Sequence, residues 1–213
     1  PVRDFVPVSL MATSANLLLV NPAVEARTLQ QLLALARARP GQLNYASGSV
    51  ASSSQLAAEL LKSMARVNIT HIPYKGAGPA LVDLLAGQVQ IMFSNPAASA
   101  AHVRTGKLRA LAATSEKRLP EFADLPTVAE SGLPGYEAST WWGILAPRGT
   151  PAAVISQLNE VISNAITAGE VRNRIAALGA QPAGGPPQQL AMLIRDEIPK
   201  WSRVVKEAGI RLD

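Results

Sequence analysis

From Leu43 the chain reads Leu43-Asn44-Tyr45-Ala46-Ser47-Gly48-Ser49-Val50-Ala51-Ser52-Ser53-Ser54-Gln55-Leu56. The first four residues suit a strand. A turn of small polar residues follows, and Leu56, Leu60, Leu61 and Met64 then recur at helical spacing. A strand feeding a helix through a tight polar turn is the repeating unit of an α/β sheet. Upstream, residues 17–20 are a short buried strand stopped by Asn21-Pro22. Thr28 is placed to cap a helix carrying Leu29, Leu32, Leu33 and Ala36, which Pro40-Gly41 ends. Downstream, residues 69–72 form a strand, and Pro79 suits the first position of a helix running to about Ala86, with Gly87 past its end. Residues 89–93 and 108–113 read as strands flanking a helix at 97–104. This alternation predicts the α/β class, a parallel sheet covered by helices.

The flanks read differently. Residues 5–11 are strand-like, and residues 116–136 are rich in Pro, Gly and charge, a loop with short helical pieces. Residues 141–146 return as a strand. Thr150-Pro151 is a cap followed by a first-turn proline, opening a helix with Val154, Leu158, Val161, Ile162 and Ala165 on one face. A short helix spans 170–178 and ends at Gly179. A long helix over 187–208 lines up Leu190, Ile194, Ile198, Trp201 and Val205, and Pro199 should kink or split it near Ile198.

At 213 residues, the chain can hold one large domain or two small ones. Its apolar stock is mostly Ala, Leu and Val, which suits close helix-on-sheet packing. No apolar run approaches the roughly 20 residues of a membrane span. The absence of cysteine removes disulfides, thiolate metal sites and a Cys nucleophile together. His71 and His102 lie far apart in sequence, which disfavours a histidine metal site. The net charge of +5 favours anionic partners. Nucleic acid is disfavoured, because Arg37/Arg39 and Lys117/Arg118 have no aromatic stacking platform beside them. The start, Pro1-Val2-Arg3-Asp4-Phe5, has no Met and no basic-then-apolar leader, which suggests a mature or truncated chain.

In a parallel sheet, ligands gather where strands lead into helices. Three such turns carry small or polar residues, at 47–54, 75–78 and 94–99, and all should open on one edge. The first N–H groups of a helix lack partners within it, and the helix dipole adds positive character there, so a carboxylate or phosphate is a natural guest. Ser47, Ser49, Ser52 and Ser53 add donors without bulk, and Gly48 admits a close approach. Ser52 with Gln55 equally fits a capping box, which would leave Ser47, Ser49 and Ser53 as the better ligand contacts. The stretch lacks the Gly-x-x-x-x-Gly-Lys-Ser/Thr phosphate-loop pattern.

Lys75 could bring charge to this edge or simply be solvated at a turn. Asn95 could orient a ligand or stabilise the turn before Pro96. Trp141 and Trp142 face opposite sides of a strand, one toward core and one available to wall a cleft. His71 reads as a satisfied core or face histidine rather than a base. No Gly-x-Ser-x-Gly elbow or acid/base carboxylate pair is present, so an enzyme is disfavoured.

A series of segments carries a resemblance. They are Asp4-Phe5-Val6-Pro7-Val8-Ser9, Asn21-Pro22, Pro40-Gly41-Gln42-Leu43-Asn44-Tyr45, His71-Ile72-Pro73-Tyr74-Lys75-Gly76, Gly106-Lys107-Leu108-Arg109-Ala110-Leu111-Ala112, Leu125-Pro126-Thr127-Val128, Gly132-Leu133-Pro134-Gly135-Tyr136 and Gly143-Ile144-Leu145-Ala146-Pro147. In this order they resemble the solute-binding proteins of tripartite tricarboxylate transporters, the Bug or TctC family. The resemblance implies an α/β, two-lobed, type II-like periplasmic binding protein whose lobes close on a small carboxylate and hand it to a membrane permease. Lobe one would be residues 1–15 and 138–213, truncated at its N-terminus by about a quarter of the usual mature chain, and lobe two residues 16–137. It implies no cofactor, no metal, a monomer, and weak binding by this chain alone. The ligand-facing set on this reading is Ser47, Ser49, Ser52, Ser53, Lys75, Gly76, Ser94, Asn95 and Trp141.

Ser49-Val50-Ala51-Ser52-Ser53 stands where the family tends to have Gly-Asn-Gly-Thr-Ser, which narrows the allowed backbone, and Ser94 stands where Asp is common. Both put the ligand's identity in doubt. Pro199 stands where Ala or similar is usual. The alternative is an interaction protein that presents its cleft to a sensor partner.

Overall fold

A computed structural model describes residues 3–211. They group into two compact units, residues 3–14 with 140–202 and residues 15–139 with 203–211. Residues 203–211 group with the second unit, where the sequence analysis places them with lobe one.

The chain opens with β1 (Phe5–Ser14) of the first unit and enters the second at Ala15. There β2 (Leu17–Val20) is buried at every position, because both of its faces are covered. Helix α1 (Leu29–Ala38) starts where Thr28 Oγ1 accepts from the Gln31 N–H at 3.2 Å, and it buries Leu29, Leu32, Leu33 and Ala36. Then follow β3 (Asn44–Ser47), α2 (Ser53–Ala65), β4 (Thr70–Pro73), α3 (Ala77–Leu85), β5 (Ile91–Ser94), α4 (Pro96–Arg104) and β6 (Arg109–Ala113). Pro79 is the third residue of α3, not the first. That position is still in the first turn, where a helix has no use for the missing N–H.

The five strands lie in the order β4-β3-β5-β2-β6. Strands β3, β4 and β5 run parallel, but β2 is antiparallel to both β5 and β6. The expected all-parallel sheet is therefore mixed, with one reversed strand. Leu17, Leu19, Ala46, Ala80, Leu84, Met92 and Ala113 form a core cluster in this unit.

Both ends of the residue 15–139 stretch are tied to one side chain. Thr114 Oγ1 accepts from the Asn16 N–H at 2.8 Å and donates to the Ala138 carbonyl at 3.0 Å. The loop over 116–136 holds a single 3-10 turn, Pro120–Phe122, and closes on Tyr136. That ring is buried, and its hydroxyl donates to the Ala57 carbonyl of α2 at 2.9 Å.

The first unit resumes with β7 (Thr140–Pro147), α5 (Ala152–Thr167), α6 (Gly169–Ala177), β8 (Gln181–Pro182) and α7 (Pro187–Glu207). Its sheet is antiparallel, ordered β7-β1-β8. Gly143 of β7 lies close under α7, and a Cβ there would come 2.8 Å from the buried Leu190 side chain, which would have to shift. Thr150 does not cap α5. Its hydroxyl turns back to the Pro147 carbonyl at 2.8 Å, and Pro151 occupies the cap position. Pro199 does not split α7, which is one continuous helix with the proline inside it.

Tyr136→Phe removes one buried hydrogen bond and leaves the packing intact. It should cost about 1 kcal/mol, read as a fall in melting temperature of roughly 2–4 °C for a domain of this size. An unchanged melting temperature would show that the bond to Ala57 contributes nothing.

Candidate functional site

The parallel set β3, β4 and β5 sends its carboxyl ends to one edge of the second unit's sheet. Helices α2, α3 and α4 all begin there. After β3 the chain moves outward to β4, then returns to place β5 on the other side of β3. The order reverses between β3 and β5, and a crevice opens at such a point because the two following connections diverge.

The turn leaving β3 does most of the shaping. Gly48 lies against the start of α3, where a Cβ would come 3.0 Å from the Ala77 nitrogen. The Gly76 N–H donates to the Gly48 carbonyl at 2.7 Å, so the β3 and β4 turns are joined by backbone. Ala51 sits at φ +57°, in the left-handed region. Here the resemblance implies a glycine, and the Ala51 backbone has the conformation that glycine favours. Gln55 holds it there, since its Oε1 accepts from the Ala51 N–H at 2.6 Å.

Ser52 is the N-cap of α2. Its Oγ accepts from the Gln55 N–H at 3.5 Å and also lies 2.7 Å from the Ser49 carbonyl. The capping box is only half formed, because the Gln55 side chain reaches Ala51 rather than the cap residue. Among the described residues, the N–H groups of Ser53 and Ser54 at the start of α2 have no acceptor. Ser49 and Ser53 are exposed beside them.

The other sequence-derived residues divide. Ser47 faces inward. It is fully buried, with its hydroxyl 3.0 Å from the Ser49 carbonyl and 2.6 Å from His71 Nε2. Both of these partners belong to the protein, so in this structure the Ser47 hydroxyl is engaged internally. Ser94 is buried and contacts the Asn95 carbonyl at 3.4 Å. Asn95 caps α4, its Oδ1 accepting from the Ala97 N–H at 2.8 Å. Lys75 and Gly76 are exposed on the β4 turn. Trp141 lies in the first unit, on β7 opposite Thr13, partly buried, while Trp142 is 48% exposed. Neither tryptophan is core.

A polar cluster that the sequence reading did not assemble lies under the turn. The β3–β4 register sets Tyr45 beside His71, with the rings stacked at 4.8 Å. Gln55 Nε2 is 3.2 Å from His71 Nδ1. The Tyr45 hydroxyl donates to Glu59 at 2.5 Å, and Glu59 pairs with Lys62 at 2.8 Å. Burial and the Glu59 carboxylate push the Tyr45 phenol far above its ordinary value, so it stays a donor. The available signal was the alternation along two short strands, but only pairing shows which residues meet.

Two pockets of about 300 and 420 Å3 open at the opposite edge, around residues 21–27. Arg109 there is already committed to the Val24 and Ala26 carbonyls.

The profile of the tripartite tricarboxylate transporter family receptors, TctC, matches residues 1–210. The chain belongs to this family. BugT of Bordetella pertussis is 40% identical over 211 residues, which are 99% of this chain and 65% of BugT. An R. palustris protein solved with adipate is 39% identical at a TM-score of 0.80, over 97% of this chain and 69% of that one. MatC from Rhodopseudomonas palustris with bound malate is 34% identical at 0.77, over 94% and 69%. The chain spans 61–65% of the length of the first curated relatives it matches. The α/β fold is that of periplasmic binding proteins, and TctC is a family of periplasmic solute receptors, not enzymes. No helix among the described residues is long and apolar enough to cross a membrane.

Replacing Ala51 by glycine should relieve the left-handed strain, worth roughly 1–2 kcal/mol for a non-glycine residue. Glycine's extra chain entropy offsets about 0.5–1 kcal/mol of that. The net gain in urea unfolding should be about 0.5–1 kcal/mol. A loss of stability would mean that the Ala51 conformation carries no strain.

Proposed function

We propose that this chain is the ligand-holding part of an extracytoplasmic receptor that captures a small carboxylate and delivers it to the membrane permease of a tripartite transporter. The observation that carries the reading is the pair of unaccepted N–H groups, Ser53 and Ser54, at the start of α2. They lie beside the point where the strand order reverses, flanked by the Ser49 and Ser53 hydroxyls. Helix-terminal N–H groups and the helix dipole favour a carboxylate oxygen. Hydroxyls accept or donate as the guest requires, so the site selects a charged end and tolerates different carbon skeletons. Ser52 acts as cap and wall. Lys75 and Gly76 border the site from the β4 turn, and Ser94 with Asn95 from the β5 side. Residues 138–213 with 1–15 are proposed as lobe one, and Trp141 as its member of the ligand-facing set. Adipate and malate, bound by two relatives, are the first ligands to try.

Thermal melts in the presence of each candidate test this. A ligand at about one hundred times its Kd stabilises by roughly 2.7 kcal/mol. Adipate or malate should raise the melting temperature, and a neutral diol of equal chain length should not. Equal shifts with acid and diol, or no shift with any dicarboxylate into the millimolar range, would defeat the carboxylate reading.

A further inference from the structure

The hydrogen bonds beneath the turn allow one assignment of protons. The Ala51 N–H must meet an acceptor, so the Gln55 oxygen faces it and the Gln55 N–H2 faces His71 Nδ1. Nδ1 must therefore accept, which places the imidazole proton on Nε2. Nε2–H then donates to Ser47 Oγ, and the Ser47 hydroxyl proton goes to the Ser49 carbonyl. The result is a closed circuit. His71 bridges the last residue of β3 and the third residue of α2, and the turn lies between them.

We propose that His71, held neutral with its proton on Nε2, is the positioning residue of the ligand-facing turn, acting through Gln55 and Ser47 without touching the ligand. This rests on the carboxylate reading for its functional meaning, but the geometry stands without it. A second proton on Nδ1 would confront the Gln55 N–H2. Rotating the amide would satisfy the imidazolium but present N–H2 to the Ala51 N–H. No orientation serves both, so the charged ring releases the contact that holds Ala51 at positive φ.

The surroundings act in the same direction. From β3, Tyr45 stacks on the ring. From α2, Glu59 favours the charged form and Lys62 opposes it, with Glu59 already engaged by Tyr45 and Lys62. Helix α3 packs on Ile72, whose side chain lies on the other face of β4. Burial, the largest influence, holds His71 below its ordinary value, with Glu59 raising it and Lys62 lowering it. The unfolded chain takes up this proton near pH 6.5 and the folded chain only at lower pH. Folded stability is therefore complete above that range and falls as pH drops toward the folded value.

Nitrogen-15 spectra of the labelled 213-residue chain decide the matter. At pH 7.5 His71 should show the neutral Nε2–H pattern. The amide signals of residues 49–52 should move on acidification with the midpoint of His71. His71→Gln keeps an N–H toward Ser47 and cannot titrate. It should preserve the turn's signals and abolish their pH step, whereas His71→Ala should disturb them at every pH. Gln55→Glu, whose two oxygens can accept from Ala51 and from an imidazolium together, should raise the His71 midpoint and uncouple it from the turn. Adipate affinity, measured in parallel, should weaken about tenfold from well above the midpoint to one pH unit below it. A proton on Nδ1 at pH 7.5, turn signals that ignore the His71 titration, or a His71→Gln variant as disturbed as His71→Ala would overturn the proposal. If adipate and malate fail to bind at any pH while the tautomer and the turn behave as described, the carboxylate reading falls and the positioning role stands.

Discussion

Three helices begin at one sheet edge because the three strands that feed them run parallel. Each helix arrives with N–H groups that its own backbone cannot satisfy, and the edge therefore has an excess of donors. What distinguishes the three is how much of that excess is consumed internally. At α4, Pro96 has no N–H, and Asn95 takes up Ala97 through its side chain and Ala98 through its carbonyl. At α3, Pro79 removes one donor in the first turn, and among the described residues the N–H groups of Ala77 and Gly78 have no acceptor. At α2, Ser52 takes up Gln55 through its side chain and Leu56 through its carbonyl, and the amides of Ser53 and Ser54 remain. Free donors therefore remain at the starts of α2 and α3, whose turns are joined by the Gly76–Gly48 backbone bond.

That division separates two jobs that a serine-rich turn could be thought to share. Ser47 and most of Ser52 work on the protein, fixing the path of residues 48–52. Backbone amides, with Ser49 and Ser53, face outward. On the proposed function, charge would be recognised by the helix end and shape by the walls, without a guanidinium fork to read carboxylate geometry. Such a site suits a family whose members bind different carboxylates with one fold.

Much of this architecture was legible in the chain. Apolar periodicity and turn residues locate the helices, Thr28 reads as a cap, and Ser52 stays between cap and ligand contact because its local chemistry fits both. The reversal of β2 was not legible, because four consecutive buried apolar residues carry no information about direction. Thr150 looked like a cap, but a nearby carbonyl at Pro147 competes for the same hydroxyl. The burial of Ser47 was not legible, because the inward or outward sense of a strand's last residue depends on which face the next helix covers. The link between His71 and Gln55 needs the register of β3 against β4 and the rotation of α2, and neither is written in the spacing of 16 residues between them.

The central claim is that backbone amides at the start of α2 hold the ligand's charged end. A crystal structure of the chain grown with adipate tests it directly. A carboxylate oxygen should lie about 2.7–3.2 Å from the Ser53 or Ser54 nitrogen, with Ser49 or Ser53 hydroxyl within reach. An adipate held by lysine or arginine side chains elsewhere, with solvent on those two amides, would contradict the account.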